Sequence, residues 1–290
     1  MAPIKFPFAN TVSRGLGQIM LQENAATGLL FLVGIFYGSI SMGIAAILSA
    51  SCGTITARLL AFDRPETQKG LYGFSPALVG VALILFFEPV FVVWLFVIIG
   101  AVAAALLQHW FIKNKIPVFT LPFILVTWVI IYFFQILYPI APAVVLSPEF
   151  SSNLGFTFAF RGFGQVIFQG SVFAGAVFFL GVFIHSPMSA LYGLAGSGLA
   201  GVLALWFSAP VEAVGLGLFS YNAVLCAIAF SGNGAKDGVW ALISVIVSVI
   251  FSVAMYRYEL IQLTFPFVAA TCICLAVKNI AIPAFGRHNF

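Results

Sequence analysis

Charge is scarce in this chain. Of its 290 residues 7% are Asp, Glu, Lys or Arg, while 62% are hydrophobic and the mean hydropathy is +1.15. A water-facing surface needs far more charge, so the solvent is lipid. The 12 basic and 8 acidic residues are scattered without a basic block, which leaves nucleic-acid binding without support. The four cysteines lie in apolar stretches, form no Cys-x-x-Cys, and read as small core residues with no disulfide framework. His109, His185 and His288 are isolated, with no His-x-x-x-His or Glu-x-x-His. Catalysis and metal binding therefore lack material, and no cofactor is implied. The acids all sit in or near breaks between apolar runs. A proton- or sodium-coupled carrier needs an ionisable group at mid-membrane, so passive conduction is favoured over active transport. The first fifteen residues lack a continuous apolar stretch, so a cleaved leader is not expected.

What is present centres on the stretch 115–128, KIPVFTLPFILVTW, with Thr120, Pro122 and Phe123. A second copy at 260–271, LIQLTFPFVAAT, holds Thr264, Pro266 and Phe267. Both have the form T-x-P-F at the mouth of an apolar run. A proline there disturbs helix hydrogen bonding where lipid offers no substitute. Two such breaks at matching places suggest one site at the interface of a repeat.

The repeat extends along the chain. Arg14-Gly15-Leu16-Gly17-Gln18 recurs as Arg161-Gly162-Phe163-Gly164-Gln165, an offset of 147 (161 − 14). Gly28 and Gly175 keep that offset, as do Gly34 and Gly181, and GLYGF at 70–74 returns as GLFSY at 217–221. The twin threonines stand 144 apart (264 − 120), a slip of three.

Apolar runs fall at 25–36, 40–50, 71–87, 90–107 and 121–138, then at 171–184, 188–207, 214–230, 239–255 and 263–277. Several are shorter than the ~20 residues of a straight span. The expected fold is an all-α polytopic membrane protein. It has two five-helix halves, 1–138 and 160–290, joined by a linker at 139–159 rich in Pro and Ser at its start. Five spans per half turn the second half upside down, giving an inverted repeat of ten transmembrane helices. Segments 13–23 and 160–169 are too short to span and read as two re-entrant helices. Lys5, Arg14, Lys278 and Arg287 flank the outermost spans and place both termini in the cytoplasm, with the chain in the cytoplasmic (inner or plasma) membrane.

The candidate site is neutral and paired. Thr120 and Thr264 bring two hydroxyls to the repeat axis, and each hydroxyl both donates and accepts. Gln18 and Gln165 add amides. Phe74 with Leu78, and Tyr221 with Leu225, put an aromatic and a leucine on one helix face. Phe168 lies three residues after Gln165, and its counterpart is Leu21. Any one of these is a packing residue by default, because a membrane Thr bonds its own backbone readily and Phe alone makes up 33 residues. Symmetric partners raise the functional reading.

RGxGQ, the GLYGF and GLFSYN segments with their following leucines, and both T-x-P-F elements resemble the urea transporter family, from about Arg14 to Val277. The resemblance implies ten spans plus two re-entrant helices, an inverted repeat, and a homotrimer in membrane lipid with one pore per subunit. It implies flat aromatic slots and a row of oxygen acceptors that pass urea. By matching position, the first slot is Gln18, Leu21, Phe74 and Leu78, the second Gln165, Phe168, Tyr221 and Leu225, with Thr120 and Thr264 lining the constriction. The chain departs from the family pattern at Leu21 and Tyr221, where Phe is usual, and at Ser75-Pro76, where Asn follows the aromatic. These departures bear on strict urea selectivity and open the alternative of short amides or ammonia. An ammonium or water channel lacks its marks here, twin pore histidines or paired Asn-Pro-Ala. A membrane enzyme or structural subunit is the remaining class, and the lack of buried acid, His or metal clusters argues against an enzyme.

Overall fold

The computed structural model describes residues 7–117, 119–144 and 156–281. A first series of helices runs α1 (Pro7–Gln18), α2 (Ala25–Gly38), α3 (Ile40–Leu59), α4 (Arg64–Gln68), α5 (Phe74–Phe86), α6 (Phe91–Lys113) and α7 (Leu121–Tyr132). The last of these continues into a π-helical turn at Phe133–Leu137. A second series runs α8 (Thr157–Gln165), α9 (Val172–His185), α10 (Pro187–Trp206), α11 (Val211–Gly215), α12 (Tyr221–Ala229), α13 (Ala235–Arg257) and α14 (Phe265–Ala281). Lys5, Arg287 and residues 145–155 of the linker lie outside the described residues.

The two series match closely. Helices α2 and α9 both have 14 residues, α3 and α10 have 20, α4 and α11 have 5, and α6 and α13 have 23. The first three pairs start 147 residues apart, while α6 and α13 start 144 apart (235 − 91). Helices α5 and α12 still start 147 apart, but α5 has 13 residues and α12 has 9. The three-residue slip therefore falls between the start of α5 and the start of α6, where α5 runs on longer.

Backbone conformation repeats as well. Among the described residues, the non-glycine residues with positive φ form four pairs: Leu21 (61°) with Phe168 (58°), Ala61 (52°) with Ser208 (59°), Lys115 (55°) with Glu259 (54°), and Phe119 (47°) with Leu263 (44°). A left-handed conformation costs an L-residue about 1–2 kcal/mol, so local preference does not produce this recurrence. The surrounding fold imposes it. After α1 the chain closes through Gln22 N donating to the Gly17 carbonyl, and after α8 through Gln169 N donating to the Gly164 carbonyl, a left-handed helix end.

Two matched pairs of helix starts are capped by side chains, which supplies hydrogen bonds that lipid cannot. Asn24 caps α2 and Ser171 caps α9; Ser39 caps α3 and Ser186 caps α10. Small residues then let the backbones approach, which is how helices associate without a hydrophobic driving force. A Cβ on Gly28 would lie 1.7 Å from the Ser13 carbonyl oxygen, and one on Gly175 would lie 1.9 Å from that of Phe160. These glycines let α1 cross α2, and α8 cross α9.

Helices α2 and α9 meet each other reciprocally. Phe31 and Phe178, themselves counterparts, pack with centroids 5.1 Å apart. The Phe178 ring seats over Gly34 and the Phe31 ring over Gly181. Thr27 Oγ1 donates to the Gly181 carbonyl at 2.7 Å.

Among the described residues four helices, α3, α6, α10 and α13, are long and apolar enough to cross a membrane, and five apolar helical segments are shorter. The run expected at 214–230 is divided: α11 ends at Gly215, a turn with Gly217 at φ 79° follows, and α12 begins at Tyr221. Leu29, Val33, Val129, Val202 and Ile250 are exposed, as are the terminal aromatics Phe91, Trp206 and Tyr258. An apolar exterior with aromatic ends belongs in a bilayer, and the chain is an integral membrane protein. No described Asp or Glu side chain is buried, and Glu88 is exposed where the chain at 141–143 pairs back against the end of α5.

Candidate functional site

The T-x-P-F elements do not break a helix in its middle; they start one. Pro122 lies in the first turn of α7 and Pro266 in the first turn of α14, a position where a missing N–H costs nothing. Thr120 stands at the N-cap of α7, yet its hydroxyl does not cap that helix. It bonds the Thr264 hydroxyl instead, at 2.7 Å. The two are only 3% and 1% exposed. Two helix starts thus meet inside the protein through counterpart side chains.

Leu263, just before Thr264, carries further contacts. The Tyr221 hydroxyl donates to its carbonyl at 2.6 Å, and the Asn222 amide approaches the same oxygen at 3.4 Å. Asn222 Oδ1 accepts from Phe267 N at 3.2 Å. The corresponding side chains of the first series behave differently. Phe74 has no hydroxyl, and Ser75 turns away to donate to Gln108 Oε1 at 3.2 Å.

The glutamines take matching positions. Gln18 Nε2 donates to the Lys69 carbonyl at 3.1 Å, and Gln165 Nε2 donates to the Leu216 carbonyl at 3.0 Å. Those acceptors are themselves 147 apart (216 − 69) and lie on the turns leading into α5 and α12. Each amide is thereby oriented, and neither Oε1 receives a hydrogen bond among the described residues.

Burial deepens in the same order in both series. Gln18, Leu21, Gln165 and Phe168 are half-buried. Phe74 and Tyr221 are buried, Leu78 and Leu225 fully so, and the threonines are buried as well. Leu21 and Phe168 both occupy the left-handed turn that ends their short helix. Phe168 meets the Phe123 ring edge-on, centroids 6.3 Å apart, and Phe267 meets Phe119 at 5.2 Å. The T-x-P-F phenylalanines thus join the site, and Phe123 crosses to the other series to do so. The ring contact of Phe168 is with Phe123; none with Tyr221 occurs within the described residues.

Asn222 and the Phe119 and Leu263 carbonyls were not among the residues picked out from sequence as site members. A backbone carbonyl has no letter in a sequence. Asn222 had a signal, since its counterpart is the divergent Ser75. Two open cavities lie elsewhere: one of about 640 Å³ is lined by Ser208, Tyr256 and Arg257, and one of about 810 Å³ by Asn10, Arg14 and Arg58. None of the ten candidate residues lines either of them. Among the described residues no group of three His, Cys, Asp or Glu side chains could hold a metal ion.

The candidate site of this helical membrane protein thus consists of two facing helix starts, neutral hydroxyls and apolar rings. The chain matches the urea transporter family model over residues 9–279 and belongs to that family. It is 27% identical over 247 residues to urea transporter 1 of Ovis aries, which covers 79% of this chain and 64% of that protein. The corresponding protein of Rattus norvegicus is 26% identical over 247 residues, and that of Mus musculus 25% over 251, with the same coverage. The chain therefore spans slightly under two thirds of the length of the curated relatives it matches.

Proposed function

We propose that the chain conducts urea passively across a membrane through a path between the two helix series. The observation that carries this is the buried Thr120–Thr264 hydrogen bond, between counterpart residues at two helix starts, in a chain of the urea transporter family. Urea is planar, neutral and rich in N–H donors, with one acceptor oxygen. Apolar rings admit its faces, and oxygens along the edges replace its lost water. Ions find no compensating charge there.

The route enters beside the Gln18 amide oxygen, passes Leu21, Phe74 and Leu78, and reaches the threonine pair. It leaves past Leu225, Tyr221, Phe168 and Gln165. The step from half-buried Gln18, Leu21, Gln165 and Phe168 to the buried residues between them supports this order. Oxygens 2.7 Å apart leave no gap for a solute, so urea separates the two hydroxyls as it passes. It trades one hydroxyl–hydroxyl bond for two solute bonds, a net change of about 1 kcal/mol. Shallow binding of that size lets the solute leave.

The architecture that fits is an inverted repeat of ten spans and two re-entrant helices, α1 and α8. The reciprocal Phe31–Phe178 and Thr120–Thr264 pairs support a two-fold relation, because residue i meeting its own counterpart is the mark of an isologous contact. Both termini then lie on one side, in the cytoplasm, and family membership supports a homotrimer in the cytoplasmic membrane with a path in each protomer. Leu21, Ser75-Pro76 and Tyr221 broaden the solute range toward short amides.

Purified protein in liposomes, followed by light scattering through shrinkage and reswelling after a urea gradient, tests the reading. Urea flux well above empty liposomes is expected, with formamide following. Folded protein without urea flux overturns it.

A further inference from the structure

The two series differ in what surrounds the carbonyl just before each threonine. In the second, the Leu263 carbonyl takes the Tyr221 hydroxyl at 2.6 Å and the Asn222 amide at 3.4 Å. A carbonyl oxygen has two lone pairs, so these two donors saturate it. The N–H of Phe267 is likewise held, by Asn222 Oδ1. In the first series the same left-handed turn, φ 47° at Phe119 against 44° at Leu263, precedes Thr120. There Phe74 brings no hydroxyl and Ser75 is committed to Gln108. Among the described residues no side chain bonds the Phe119 carbonyl or the Phe123 N–H.

We propose that Tyr221 sets solute selectivity by holding the Leu263 carbonyl away from the passing solute, so that the backbone acceptor beside the threonine pair comes from the Phe119 side alone. This rests on the urea-conduit reading. The ligand chemistry follows from the groups left open. A free carbonyl and a free N–H, close to a hydroxyl pair, match a primary amide, which offers N–H donors and one carbonyl. Formamide has one amino group and satisfies this one-sided arrangement. Urea has two amino groups and leaves one without a backbone partner on the Tyr221 side. The tyrosine hydroxyl oxygen is conjugated with its ring and replaces a carbonyl acceptor poorly. Tyr221 is a positioning residue in this account, acting through the Leu263 oxygen one residue from Thr264.

The test is the ratio of urea to formamide permeability in proteoliposomes, for the wild type, Tyr221→Phe and Phe74→Tyr. Tyr221→Phe leaves only the Asn222 amide on the Leu263 carbonyl, opens one acceptor position there, and raises the ratio by about threefold to tenfold, the worth of one acceptor. Phe74→Tyr places a hydroxyl toward the Phe119 carbonyl and lowers the ratio by a similar factor. A ratio is insensitive to how much protein is folded or inserted, which separates positioning from a structural role. If Tyr221→Phe does not assemble, Phe74→Tyr decides alone. An unchanged ratio in an assembled variant, with wild-type urea flux present, overturns this proposal and leaves the conduit standing. Absence of wild-type urea flux overturns the conduit and this proposal with it.

Discussion

Replacing the threonine pair distinguishes a shared gate from two separate contacts. Valine matches threonine in shape and removes the hydroxyl. On the proposed route, passage breaks the Thr120–Thr264 bond and makes two bonds to solute. With a net worth of about 1 kcal/mol per bond, the balance is about 1 kcal/mol in favour of the bound solute. In Thr120→Val or Thr264→Val there is no pair bond to break and one solute bond to make, which gives the same balance. Each single variant is therefore expected to conduct urea within about threefold of wild type. The double variant offers no hydroxyl, and the solute N–H groups cross unsatisfied at a cost of about 1–3 kcal/mol. Its flux is expected to fall by roughly 5- to 150-fold. Stopped-flow light scattering on proteoliposomes with matched protein content reads all four members of the cycle. Singles as slow as the double would show that the hydroxyls do not exchange partners. A double variant at wild-type rate would place the pair off the route.

Transport is expected to be passive: with no described carboxylate buried, an imposed pH gradient or membrane potential leaves initial urea flux unchanged, and uphill accumulation refutes this. On the proposed route an aromatic wall sets the preferred resting place, so Phe168→Ala, which also strips a ring contact from Phe123, is expected to weaken binding of a heavy-atom urea analogue more than Leu21→Ala does. Equal losses, or analogue only beside Leu21, contradict that. Gly28→Ala drives a Cβ into the Ser13 carbonyl at 1.7 Å, whereas the nearest neighbour to a Cβ on Gly198 is 4.0 Å away. Thermal unfolding in detergent is expected to show Gly28→Ala destabilised by about 1–3 kcal/mol and Gly198→Ala near neutral; similar midpoints for the two would refute the close-packing argument.

Much of this protein is legible without coordinates. Lipid as solvent follows from composition, because charge cannot be hidden from a count. The duplication follows from RGxGQ, the paired glycines and the twin T-x-P-F, because a repeated fold needs small residues wherever its backbones cross. Gly28 and Gly175 show this directly, each facing a carbonyl from the preceding short helix.

Only the tertiary structure decided the rest. It placed the three-residue slip between the starts of α5 and α6, divided an apolar run by a turn at Gly217, and put both prolines in the first turn of a helix rather than in its middle. It joined Thr120 to Thr264 across 144 residues, and Phe123 to Phe168 across the two series. It also showed that Tyr221 spends its hydroxyl on the Leu263 carbonyl, while Ser75 turns to Gln108. The physical reason is common to all of these. Periodicity and capping are written in neighbouring residues, but a backbone oxygen is the same in every residue. Which donor reaches it depends on how helices far apart in the chain are packed together.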